Sequence, residues 1–357
     1  MGDAGDRRRI LVTGGCGSVG KAVVDYLLDQ PAPPNVVVLD NDEQRLFEQR
    51  RTLDRAAESV TYRLGDVREP ERLSEVVRRV DDIVHAAALK QVPQCERQPY
   101  ESVKTNVEGT RNVIQLARRH DVDSVLTVST DKATNPSSVM GASKLLAERV
   151  TLDADRHTGP DGPAFSSVRL GNVVGSSGSV VPLFLQQITN GGPVTLTDDR
   201  MTRFVISKRG AAAFIADHIG ESRSGVTYIP ELQALRIEDL AEVMTDLYRH
   251  RAPNPRDVTV EETGRRPGER LHEILVSADE RHRTVVRDGE YVVYPPAAET
   301  PSDGDEASET VPENGLSSKY QSPMSDSEIR ELLLELDPVE PATDASTGTP
   351  SIAGHDD

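Results

Sequence analysis

Tryptophan is absent, and aromatic residues make up only 4% of the 357-residue chain. The core is left to aliphatic side chains, and a hydrophobic content of 36% is low but sufficient for one. Two cysteines, Cys16 and Cys95, exclude a disulfide framework and suit a reducing cytoplasm. No apolar run approaches the ~18 residues of a membrane span. The first residues, M-G-D-A-G-D-R-R-R, lack an apolar signal core. A soluble, unexported, cytoplasmic protein is therefore expected. Lysine is scarce: seven of the 41 basic residues, at 21, 90, 104, 132, 144, 208 and 319. The net charge of -18 argues against nucleic acid or an anionic membrane as partner. An acidic, lysine-poor surface points to a halophilic protein, whose self-repulsion salt would screen. There is no internal repeat and no Cys/His cluster at metal-ligand spacing, so no metal is expected.

Against these absences, the glycine pattern near the start is dense. The apolar strand Arg9–Thr13 runs directly into G-G-C-G-S-V-G, and an amphipathic helix follows from Ser18. Gly14, Gly17 and Gly20 have the G-x-x-G-x-x-G spacing that permits a tight turn and brings backbone N–H groups, with Ser18 and Val19, against a pyrophosphate. The next strand ends at Asp40, where a carboxylate accepts hydrogen bonds from an adenosine ribose and disfavours a 2′-phosphate. NAD(P) is the expected cofactor, with NAD preferred, although Arg45 is within reach of a 2′-phosphate.

Strands and helices then alternate: a helix over 43–58, a strand at 60–64 leading to Asp66 and Val67, a helix over 69–79, and a strand at 82–85 leading to Ala86 and Ala87. Small residues there let a flat nucleotide lie against the backbone. A helix over 101–120 leads to the strand at 124–128. This alternation predicts an α/β fold, a Rossmann-like doubly wound parallel sheet, with a smaller C-terminal substrate-binding domain. The cofactor domain is expected over 8–167 and the substrate region over 168–296. An acidic linker at 297–318 and a tail at 338–357 read as disordered. Between them, a short C-terminal helix within 319–337 is capped by Ser325-Asp326-Ser327.

The chemistry is expected in S-T-D-K-A-T-N-P-S-S-V-M-G-A-S-K, residues 129–144. Thr130, Asp131 and Lys132 follow a strand, at the end of the sheet where such folds bind ligands. Met140 and Lys144 are four apart on the following helix and share a face. A hydroxyl, a carboxylate and two ammonium groups converge there.

These motifs, with H-A-A-A-L-K-Q-V-P (85–93), K-T-N-V-E-G-T (104–110), V-R-L-G-N-V-V-G (168–175), D-R-M-T-R-F (199–204) and G-R-R-P-G-E-R-L-H-E (264–273), resemble the extended short-chain dehydrogenase/reductases. More narrowly, they resemble the polysaccharide-biosynthesis nucleotide-sugar dehydratases, whose best-known members are UDP-N-acetylglucosamine 4,6-dehydratases. The resemblance implies a UDP-sugar substrate and a homo-oligomer, a dimer or higher. It implies hydride removal from C4, loss of water across C5 and C6, and hydride return to C6. It assigns Lys132 as base at C5, Asp131 as acid at the C6 hydroxyl, Thr130 to the C4 oxygen and Lys144 to the cofactor ribose. Substrate contacts are implied for Lys90, Asn172, Val194, Arg203, Arg266 and Glu269. Most of the superfamily has Tyr where this chain has Met140, and a thioether cannot transfer a proton. A base also requires the Lys132 pKa to be depressed. Two other readings stay open: a UDP-sugar 4-epimerase, which needs no base at C5, and a non-catalytic NAD(P)-binding regulatory protein.

Overall fold

The computed structural model describes residues 7–52, 58–159, 161–221, 225–265, 268–296 and 311–336. Six parallel strands form the centre: β1 (Arg9–Thr13), β2 (Asn35–Asp40), β3 (Val60–Leu64), β4 (Asp82–His85), β5 (Ser124–Thr130) and β6 (Ala164–Leu170), in the order β3-β2-β1-β4-β5-β6. Thr227–Pro230 adds a parallel strand beside β6, and the hairpin Thr284–Arg287 and Glu290–Val293 closes that edge antiparallel. The chain order reverses between β1 and β4, which opens the crevice where such sheets take ligands.

Both faces of the sheet are covered, so its strands are continuously apolar rather than alternating. Ile10, Val12, Val36, Val38 and Val84 pack on one side with Val23, Val24, Ala211 and Ile215. Leu11, Val37, Leu39 and Ile83 pack on the other with Leu73, Val77, Val113 and Ala117. A second core lies beyond β6. Helices Val180–Thr189, Ile237–Tyr248 and Asp326–Leu334 enclose Phe184, Leu185, Ile188, Val194, Leu240, Met244, Ile329 and Leu333. A short sheet of Asn172–Val173, Thr202–Ile206 and Gln233–Arg236 joins this core to the mouth of the main sheet.

Three details differ from the sequence reading. The helix expected over 101–120 is broken: Pro99–Ser102 passes through a wide π-type turn at Val103–Glu108 before Gly109–Arg119. That turn buries Asn106, which a regular helical count would not single out. The strand expected to end at Val128 extends through Thr130. Disorder over 297–318 does not hold at its end: Val311 and Leu316 are buried, and Leu316–Ser317 pairs with Ile274–Val276. Their apolar side chains find a ready-made core that composition alone does not reveal. Residues 297–310 and 338–357 lie outside the described residues. The Asp326–Leu334 helix starts behind Ser325 with a reciprocal capping box to Glu328.

Candidate active site

β5 delivers Thr130 to the sheet mouth, and the chain turns at once through one tight turn, Asp131–Ala133. Asn135, at φ 47°, then reverses the chain into the helix Val139–Arg156, capped by Ser138. That helix crowds the turn: a Cβ on Gly141 would stand 2.3 Å from the Lys132 carbonyl oxygen. Glycine there is what allows the helix to pack against Lys132.

The side chains of this turn are tightly connected. Thr130 donates to Asp131 Oδ1 at 2.8 Å, and Lys132 Nζ stands 2.9 Å from the same oxygen. Asn172 links both groups, accepting from Lys132 at 3.3 Å and donating to Asp131 Oδ2 at 3.4 Å. On the far side, Glu273 Oε1 lies 3.5 Å from Lys132 Nζ and 3.5 Å from Arg203 Nε. Lys132, Asn172, Arg203, Glu269, Arg270 and Glu273 line a cleft of about 230 Å³ with Ser137 and Ser138.

The charges set each other. Burial drives the Asp131 carboxyl above its ordinary range, against the pull of Lys132 and with the help of Glu273. Burial alone would lower Lys132, but the two carboxylates outweigh it and hold its pKa above the usual lysine value. The depression expected of Lys132 is therefore absent: Asp131 and Glu273 outweigh both burial and the nearby Arg203. Glu273 feels burial too, yet Lys132, Arg203 and Arg270 hold it below its ordinary value. Lys132 thus bridges two carboxyls, one held above its ordinary range and one below it.

A second group of residues surrounds the glycine loop. A Cβ on Gly14 would lie 2.7 Å from the Ala87 backbone, and one on Gly20 would lie 2.2 Å from the Gly14 carbonyl oxygen. Gly17 precedes the helix Ser18–Leu28 with no side-chain cap, which leaves first-turn N–H groups for an anion. Ala86 N–H bonds the Thr13 carbonyl at 3.1 Å, so Ala86 and Ala87 abut the loop. Asp40 accepts from Cys16 N–H at 2.9 Å and Asp42 N–H at 3.1 Å, each oxygen keeping a lone pair. Asp66 accepts from Asn41 and Arg68 beside this edge, while Val67 is buried against Gly109. Val19 is half-buried behind Ser18, whose hydroxyl accepts from Ser177 N–H. These features fit a dinucleotide.

Lys144 and Met140 occupy the shared helix face as their spacing predicts, and both are buried. Lys144 Nζ donates to the Val128 carbonyl at 2.5 Å. Burial lowers its pKa to about 8, although Glu148 resists the shift. Behind it Arg169, a residue of β6, is sealed between Glu148 and Glu280. Its guanidinium is a structural ion rather than a substrate contact.

Two expected contacts, Val194 and Lys90, are not among the described residues that line the cleft. Val194 is wholly buried in the second core. Lys90 donates to the Ser177 carbonyl at 2.9 Å, beside the glycine loop rather than beside Lys132. Arg203 lines the cleft but spends its N–H groups on the Thr202, Arg270 and Leu271 carbonyls. Arg266 lies outside the described residues. Glu273 was missed, although it ends the arginine-rich motif and is its most buried acid. Asn106 was missed as well; it grips Leu89 through both N–H and carbonyl and donates to Ser143.

A family model described as "Polysaccharide biosynthesis protein" matches residues 10–295. An uncharacterized membrane protein of Methanocaldococcus jannaschii is 44% identical over 81% of this chain and 86% of its own length. Among the described residues of this chain, no helix is long and apolar enough to cross a membrane. A Campylobacter jejuni UDP-N-acetylglucosamine 4,6-dehydratase (inverting) is 36% identical over 87% and 90%. A UDP-glucose 4-epimerase of Rickettsia conorii is 34% identical over 76% and 79%. Among solved structures, Pen from Bacillus thuringiensis superposes with a TM-score of 0.84 at 30% identity, covering 92% of this chain and 97% of Pen. The dTDP-glucose 4,6-dehydratase DesIV from Streptomyces venezuelae, with NAD and TYD bound, gives 0.65 at 27% identity, covering 74% and 86%. The glycine cradle, the parallel sheet and these likenesses agree on a nicotinamide-dependent relative of the nucleotide-sugar dehydratases and epimerases, and the chain belongs to the polysaccharide-biosynthesis family of extended short-chain dehydrogenase/reductases.

Proposed function

We propose that this protein is a UDP-N-acetylglucosamine 4,6-dehydratase of glycan biosynthesis, using NAD in preference to NADP. The observation that carries this reading is the linked set Thr130, Asp131, Lys132 and Asn172 at the cleft floor. A 4-epimerase has to move hydride at C4 alone, whereas a dehydratase also needs an acid at C6 and a base at C5. A buried carboxyl whose pKa is pushed upward, joined to a lysine that a second carboxylate also reaches, answers that need.

A bound nicotinamide would supply the hydride acceptor for C4 and the hydride donor for C6. Its pyrophosphate would lie on the N–H groups after Gly17, its adenosine ribose on Asp40, and its nicotinamide ribose near Lys144. Thr130 would hold the C4 oxygen. Because Met140 offers no proton acceptor, Thr130 would relay the C4 hydroxyl proton to Asp131, to which it already donates. Asp131 would then pass a proton to the departing C6 hydroxyl. Asn172 keeps the acid and the lysine in register, and Arg270, Glu269 and the serines at 137 and 138, which line the cleft, would meet the nucleotide.

Two further parts of the reading are proposals of the same kind. Helices Gly109–Arg119 and Val139–Arg156, with Leu146 half-exposed, would form a dimer face. The net charge of -18 suits a cytoplasmic protein working in high salt. Incubation with UDP-N-acetylglucosamine and mass analysis tests the activity. Loss of water supports the dehydratase, an isomer of unchanged mass supports an epimerase, and no reaction supports a non-catalytic binding protein.

A further inference from the structure

Glu273 is 2% exposed, lines the cleft and has one oxygen, Oε2, with no hydrogen-bond partner among the described residues. A carboxylate present only to neutralise Lys132 and Arg203 has no reason to hold a buried acceptor open, because an unmade buried bond is costly. Nor is the side chain adrift. Its backbone is clipped by the returning chain: Glu273 N–H donates to Ser318 Oγ at 2.9 Å, Ser318 N–H donates to the Glu273 carbonyl at 3.0 Å, and Ser317 Oγ donates there at 3.2 Å. Ser318 is further tied to Thr202 at 2.8 Å. The unpartnered oxygen therefore belongs to a side chain fixed in the wall of the same cleft as Lys132 and Asn172.

We propose that Glu273, through its open Oε2, takes the C5 proton of the substrate, and that Lys132 bridges it to Asp131; this rests on the dehydratase reading. Once C4 is a ketone, the C5–H bond breaks and its proton goes to Glu273. The electron pair left on C5 forms the C5–C6 double bond as the C6–O bond breaks. The leaving oxygen takes the Asp131 proton and departs as water. One carboxyl gains a proton and the other loses one, so the charge around Lys132 is unchanged through the step. Asp131 holds the C4 hydroxyl proton that Thr130 relayed to it when C4 was oxidised, so giving that proton to the leaving oxygen returns Asp131 to its ionised state; as hydride reaches C6, Glu273 returns its proton to C5. The lysine serves as the fixed cation between two carboxylates, which agrees with its raised pKa and with the lowered one of Glu273.

The test uses the full chain loaded with cofactor and UDP-N-acetylglucosamine in D2O. Glu273→Gln keeps the shape and removes the proton acceptor. Water loss and deuterium entry at C5 are expected to fall at least about a hundredfold, with calorimetric binding of UDP-N-acetylglucosamine retained. Glu273→Asp is expected to recover part of the loss. Wild-type rates of C5 exchange in Glu273→Gln, with exchange abolished in Lys132→Met, would overturn the proposal and leave the dehydratase reading standing. Wild-type protein that returns only an isomer of unchanged mass would sink both. Should Glu273→Gln not fold, the wild-type pH profile decides. An ionised carboxylate base gives an elimination rate that is flat between about pH 6 and the loss of the Lys144 charge near 8, whereas a neutral lysine base gives one rising about tenfold per pH unit across the same window.

Discussion

Thr130 donates its hydroxyl proton to the carboxylate of the very next residue, Asp131, at 2.8 Å. The contact is made possible by the extended backbone of Thr130 giving way to the tight turn at Asp131, which folds the two side chains toward one another. Asp131 Oδ1 also receives Lys132, so the carboxyl is held on two sides. Asp131→Asn keeps these contacts in size and removes the exchangeable proton. Turnover is expected to drop at least about a hundredfold, with cofactor binding unaffected, because the cradle of Gly14, Gly17 and Gly20 is untouched. Thr130→Val is expected to slow C4 oxidation more than elimination, measured as separate single-turnover phases. Near-normal dehydration by Asp131→Asn would remove Asp131 from its proposed role.

Lys144 makes a pH prediction with a definite sign. Its folded pKa is lowered to about 8, chiefly by burial, whereas an unfolded lysine titrates near 10.4. The ammonium is complete well below pH 8 and lost above it. A rate that depends on that charge is expected to fall as pH rises through about 8. Stability moves the other way: between about 8 and 10.4 the unfolded chain binds more protons, so the native state gains as pH rises. Urea unfolding of the wild type and of Lys144→Met across this window checks it. The variant is expected to lose the rise.

How far the sequence discloses these arrangements depends on whether the signal is local. The glycine loop, Asp40 and the Thr130–Lys132 turn are legible because each is set by residues adjacent in the chain. Arg169 is not: its partners Glu148 and Glu280 stand 21 and 111 positions away, so nothing near it in the chain marks it as the cation of a buried triad. Val194, implied as a substrate contact, is instead a core residue, because helices distant in sequence close over it. Glu273 owes its fixed position to Ser317 and Ser318, which lie in a stretch whose composition reads as disordered. The closing hairpin carried its own signal in Asp288-Gly289, both at positive φ, the turn pair that matches strand twist.

Cofactor choice turns on Asp40. Its two oxygens take the Cys16 and Asp42 N–H groups, which bind the glycine loop to the end of β2, and each keeps a lone pair for the ribose proposed there. Arg45 is three residues beyond Asp42 and paired with it at 3.3 Å, so its charge is partly committed. Isothermal titration is expected to show NAD binding more tightly than NADP. Asp40→Ser is expected to weaken NAD by roughly tenfold, the loss of one to two hydrogen bonds to a charged group. Tighter binding of NADP by the wild type would refute the preference.

The buried ion triad of Arg169 with Glu148 and Glu280 offers a stability test independent of any ligand. Arg169 contacts Glu148 Oε1 at 2.5 Å and Glu280 at 2.9 and 3.0 Å, and it donates to the Leu275 carbonyl at 2.6 Å. It thus ties the Val139–Arg156 helix and β6 to the segment that leads to the closing hairpin. Arg169→Met leaves two carboxylates in the interior short of their shared cation, a change expected to cost roughly 3–5 kcal/mol at neutral pH. Burial would raise Glu280, but Arg169, the Ser277 N–H and Arg283 hold it down to about 2. A carboxyl lowered in this way stabilises the fold fully above the unfolded value near 4.3, and its contribution disappears as pH falls toward 2. The variant's deficit is therefore largest at neutral pH and narrows below about pH 4, where its unpaired carboxyls take up protons. Adding Glu148→Gln to Arg169→Met is expected to restore part of the loss, since one stranded charge goes with it. Urea unfolding at both pH values measures all of this, and a deficit under about 1 kcal/mol at neutral pH would show that the triad is not what joins these elements.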